Sequence, residues 1–128
     1  MVDPTVNDGF ISLAIELEID SIDRLRGLFN SSELIGASIE LGPDVSAKVT
    51  QIEKGLGFLG SIDMTLVLSF SVGVASSVVA NLIYGALGAG IQKLSLGGRR
   101  VRPSEEALIA ALQTTIELLK EQQKNVDL

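Results

Sequence analysis

Cysteine, histidine and tryptophan are absent from this 128-residue chain. Without cysteine there is no disulfide framework, no zinc–thiolate site and no redox thiol. Without histidine there is no imidazole base and no imidazole metal ligand. Aromatics are scarce, four Phe and one Tyr. Cations are outnumbered: 10 Lys and Arg stand against 16 Asp and Glu, a net charge of −6. Phosphate contacts need clustered cations, so nucleic acid is excluded as a partner class. The opening residues Met1-Val2-Asp3-Pro4-Thr5 show neither a basic nor an apolar stretch, so no signal peptide is expected. The lack of cysteine fits a reducing cytoplasm.

What is present is apolar residue, 46% of the chain, enough for one core in a single domain spanning 1–128. Residues 10–20 alternate: Ile11, Leu13, Ile15, Leu17 and Ile19 against Ser12, Ala14, Glu16, Glu18 and Asp20. Period two predicts a strand with one apolar and one acidic face. Asp20 or Ser21 caps a short helix carrying Ile22, Leu25, Leu28 and Phe29. Ser38-Ile39-Glu40-Leu41 resumes the alternation and stops at Gly42-Pro43, closing a strand–helix–strand unit over 10–42. In residues 44–60, Val45, Val49, Ile52 and Leu56 fall at 0, +4, +7 and +11 behind Asp44, which predicts a short helix and a glycine-rich turn.

Residues 64–91 contain no charge, bounded by Asp63 and Lys93. A run of 28 residues without Pro is too long for one strand and predicts a helix over 61–91, broken near Gly85-Ala86-Leu87-Gly88-Ala89-Gly90. On such a helix Ser69, Gly73, Ser77, Asn81 and Gly85 form a small stripe that lets another backbone approach. A helix apolar on all sides must be buried on all sides, so a neighbour is expected to shield it, most simply a second copy of the chain. The alternative environment is lipid, with Lys93, Arg99, Arg100 and Arg102 anchoring its end at the inner membrane. Gly97-Gly98 makes residues 93–102 a β-hairpin. Ser104 caps a last helix over 104–123 with Leu108, Leu112, Ile116 and Leu119 on its buried side. The order β-α-β-α-α-β-β-α predicts a small α+β, two-layer domain, its long uncharged central helix packed on a short, mostly antiparallel sheet.

Candidate chemistry is thin. Glu16, Glu18 and Asp20 share a strand face with Asp23 nearby, but neighbours on one face stand roughly 6.6–7 Å apart, too far to share one cation. Gly55-Leu56-Gly57-Phe58-Leu59-Gly60 spells a dinucleotide fingerprint but follows no predicted strand. Ser76-Ser77 has no base near it in sequence. No catalytic, cofactor-binding or metal-ligating residue is therefore assigned, and no cofactor is expected. The basic hairpin, Lys93, Arg99, Arg100 and Arg102, holds four of the ten cations. It suits an acidic partner, an anionic headgroup or the acidic strand face of another copy. Residues 1–60 hold ten acids and four bases, residues 61–128 six of each, so head-to-tail self-association is electrostatically reasonable.

The order of features from Ile15 to Ile116 resembles a known family. A strand runs into Asp23-Arg24-Leu25-Arg26-Gly27-Leu28-Phe29, then Ser32-Glu33-Leu34-Ile35-Gly36 and a short strand. An uncharged Ser/Gly/Ala-rich segment follows at 66–87, then the hairpin Leu94-Ser95-Leu96-Gly97-Gly98-Arg99-Arg100-Val101 and a helix bearing Glu106-Ala107-Leu108-Ile109-Ala110-Ala111-Leu112. This pattern resembles the effector-associated constant component domain of bacterial conflict and defence systems. The resemblance covers roughly 100 residues. It implies a non-enzymatic adaptor that works by protein–protein contact beside an effector of unknown identity. The expectation is thus a self-associating cytoplasmic interaction module, and the alternative a small membrane-inserting toxin or pore protein with residues 64–91 in the bilayer.

Overall fold

The computed structural model describes residues 5–7, 9–20, 22–30, 33–54 and 61–126. The alternating segment forms the long strand β2 (Phe10–Ile19), with β1 (Thr5–Asn7) folded back along its first residues. Ile11, Leu13, Ile15, Leu17 and Ile19 are all buried, as period two requires. Helix α1 (Ile22–Phe29) buries Leu25 and Phe29 and leads to β3 (Ser38–Gly42).

Residues 44–60 depart from expectation. Instead of a helix, Val45–Lys54 is strand β4, paired with β3 by a turn in which Asp44 takes φ 62°. Val45, Ala47 and Val49 are buried at spacing two. A β-bulge between Val49 and Gln51 then slips the phase by one residue, and Ile52 returns to the inner face. That extra residue produced the 0, +4, +7 spacing that imitates a helix. Leu56 and the Gly55–Gly60 turn lie outside the described residues.

The uncharged segment is not one helix either. Its first part belongs to β5 (Ile62–Ser71), whose Ile62, Met64, Leu66, Leu68 and Phe70 are buried while the intervening residues are half-buried. β5 sits in the middle of the sheet, between β4 and β2, where both neighbours cover it. A turn leads to helix α2 (Ser76–Leu87), and a short 3-10 turn at Gly88–Gly90 marks the glycine-rich break. α2 buries Val79, Ala80, Ile83 and Leu87 and exposes Ser77, Val78, Asn81 and Gly85. One side of α2 is thus buried in the chain's own core, and the other carries small and polar residues with Val78. No helix among the described residues is long and apolar enough to cross a membrane.

The hairpin forms as expected, β6 (Ile91–Leu96) and β7 (Arg99–Val101), with Gly97 and Gly98 at φ 59° and 81°. Both values lie in the left-handed region that a primed two-residue turn demands. Helix α3 (Glu105–Val126) starts on Ser104, whose Oγ accepts the Ala107 N–H at 3.2 Å. Its Leu108, Leu112, Ile116 and Leu119 are buried.

All strand pairs are antiparallel, in the order β3-β4-β5-β2-β6-β7, with β1 beside the first part of β2. The inner face of this sheet and the apolar sides of the three helices make one core. The architecture is a two-layer α+β domain, the class read from the sequence, with β4 and β5 in place of two helical segments. The outer sheet face is left to polar side chains, as antiparallel sheets allow.

Candidate functional site

Strand register sorts the outer face into rows. One row reads Glu53, Asp63, Glu18, Lys93 across β4, β5, β2 and β6. The next reads Gln51, Thr65, Glu16, Ser95, Arg100 and reaches β7. Together they line a shallow, open depression of about 290 Å³. The remaining outer face is milder: Lys48, Val67 and Ala14 in one row, Ser46, Ser69 and Ser12 in another.

Side chains directly opposite one another in adjacent strands lie about 4.5–5.5 Å apart at Cβ. Three consecutive carboxylates are therefore neighbours, and like charges in that relation are destabilising. Compensation is partial. Lys93 Nζ stands 3.9 Å from Glu18 Oε2, a long ion pair, although the Glu18 side chain is only 3% exposed. Gln51 Nε2 donates to Glu53 Oε1 at 2.7 Å. A buried carboxylate with so distant a partner is weak evidence of stability. Along the row Glu53 is exposed, Asp63 half-buried and Glu18 buried. Among the described residues no group of three or more acids is arranged to hold a metal ion.

The hairpin cations divide between two sides. Lys93 and Arg100 rise from the outer face, Arg99 lies opposite Leu96 on the other side, and Arg102 follows the end of β7. Arg99 borders a groove with Leu96, Ala110, Thr114 and Leu118 against α3. Arg99, Arg100 and Arg102 are exposed, and they make β7 a strongly basic sheet edge. Edge charges also deter indiscriminate strand pairing.

The small stripe does not survive the correction of the helix. Ser69 is on β5, where its Oγ lies 3.2 Å from Ser12 Oγ. Gly73 is in the following turn, and a Cβ there would meet only Ser71 Oγ at 3.9 Å. Ser77, Asn81 and Gly85 remain aligned on the exposed side of α2. Asn81 Nδ2 donates to Glu105 Oε1 at 3.1 Å, tying α2 to α3. Nearby, the Tyr84 hydroxyl is buried without a hydrogen-bond partner among the described residues. Burial, and secondarily the Glu105 charge, push its pKa above the ordinary 10.0.

Glu53 and Asp63 were not legible as site residues. Glu53 fell in the supposed helix, and Asp63 served only as a boundary of the uncharged run. The signal that finds them is alternation with one bulge allowed. No family model, no curated protein and no solved structure matches the chain.

Proposed function

We propose that this protein is a non-enzymatic interaction module, an adaptor that self-associates and couples to an effector of a bacterial defence or conflict system in the cytoplasm. The observation that carries the reading is the outer sheet face. It is uncovered by any described helix and places Glu53, Asp63 and Glu18 side by side at an energetic cost to the monomer. Local rules are broken where a site needs them broken. The resemblance in feature order supplies the effector. The basic β7 edge supplies a second charged surface within the same small domain.

The test is co-expression with the product of the neighbouring gene and purification through a tag on either chain. Co-purification of the wild type, lost when Glu53 and Asp63 are both changed to Lys and kept when the exposed Gln113 is changed to Ala, supports the adaptor. Failure of the wild type to co-purify overturns it.

A further inference from the structure

We infer that the outer sheet face is the docking site for a second copy of this chain, related by a two-fold axis, with the basic β7 edge of each copy over the carboxylate row of the other. The inference rests on the reading of that face as a contact surface and specifies its occupant.

Three observations converge on it. The first is charge complementarity within one chain. Glu53 and Asp63 stand side by side with no cation between them in the row, while Arg100 on the outer face of β7 and Arg102 just past its end are exposed cations. Guarding the edge explains the arginines alone; it leaves the acidic row without a reason. The second is placement. The strand order β5-β2-β6-β7 puts β7 three strands from β5. A two-fold axis parallel to the strands, lying over the boundary between β2 and β6, carries β7 of one copy to β5 of the other and β6 to β2. Height along the strands is kept by such an axis. Arg100, in register with Thr65 through Ser95 and Glu16, then arrives over Thr65, one step of roughly 7 Å from Asp63. Lys93 of one copy arrives over Glu18 of the other. Packed sheets stand about 10 Å apart, a gap that opposed Arg and Glu side chains span. The third is area. The axis stacks β7 on β5, and β6 together with β1 on β2, so the three-residue β7 limits the footprint to roughly 400 Å² per copy, the size of a small, reversible contact. The contact is isologous and closed, so it stops at a dimer. Its polarity makes it a salt-sensitive one.

Sedimentation of the purified chain tests it. The wild type is expected as a dimer of twice 13.5 kDa at low ionic strength. Its dissociation constant should rise roughly tenfold or more between ~0.1 M and ~1 M salt, as the screening length falls from ~10 Å to ~3 Å. Two charge-reversal variants sharpen the result. Arg100→Glu with Arg102→Glu makes both surfaces acidic, and Glu53→Lys with Asp63→Lys makes both basic. Each alone is expected as a monomer; mixed one to one, they are expected to form a heterodimer. A wild type that stays monomeric at every concentration, a dimer indifferent to salt, or variants that dimerise alone or ignore each other when mixed, overturn the inference. The salt titration needs no variant and decides the matter if either fails to fold. A monomer that still co-purifies with its effector sinks the dimer and leaves the adaptor standing.

Discussion

Replacing Asp63 by Asn should make the folded monomer more stable. Asp63 is flanked in register by Glu18 on one side and Glu53 on the other. The substitution keeps the shape of the side chain, and both residues are equally poor strand formers. What changes is two like-charge neighbour relations. Such cross-strand pairs are worth roughly 0.2–1 kcal/mol each, so the pair together gives about 0.5–2 kcal/mol. For a domain of this size 1 kcal/mol moves Tm by roughly 3–5 °C, so an increase of about 2–10 °C is expected at low salt. The gain should shrink in ~1 M salt, where the repulsion in the wild type is already screened. Urea or thermal unfolding, followed by circular dichroism on dilute monomer, measures it. A variant that is less stable than wild type at low salt, or a gain untouched by salt, refutes the claim that the row is repulsive. The same change should weaken self-association, the trade between stability and function expected at a working surface.

Tyr84 is the sole tyrosine, so its tyrosinate absorbance reports one site. Its folded pKa lies above the unfolded value of 10.0, so ionisation favours the unfolded chain. The stability it carries is full below about pH 10 and is lost as pH rises through the folded pKa. Tyr84→Phe should remove that part of the alkaline loss. At neutral pH it should be neutral or slightly stabilising, because the buried hydroxyl has no partner to lose among the described residues; a clear drop in the urea midpoint would reveal a partner. Leu68→Ala probes the strand reading of the uncharged segment. Leu68 is 0% exposed and sits in register between Leu13 and Ala47. Its truncation should cost about 2–5 kcal/mol by denaturant unfolding. A cost below about 1 kcal/mol would contradict its place in the core.

Legibility in the sequence followed the length scale of the signal. The strand at Phe10–Ile19 was readable because ten residues alternate without interruption. The Gly97-Gly98 turn and the Ser104 cap were readable because each rests on a local backbone requirement met by adjacent residues. β4 was misread because a single bulged residue turned alternation into a helical spacing. β5 was misread because its outward positions after Asp63 are Thr65, Val67, Ser69 and Ser71, none of them charged, and Leu66-Val67-Leu68 then reads as continuous apolar chain. The small stripe fell with that helix, since Ser69 and Ser77 share a face only if Gly73 is helical between them.

By itself the sequence determined the class of fold, the absence of thiol and imidazole chemistry, and the concentration of arginine in one hairpin. These depend on composition and on neighbours a few residues apart. Only the tertiary structure decided that Glu53, Asp63 and Glu18 stand in one row, because Asp63 becomes the neighbour of Glu53 on one side and of the sequence-distant Glu18 on the other through strand register. Register is set by which apolar side chains the whole core accepts, and no local pattern in the chain carries that information.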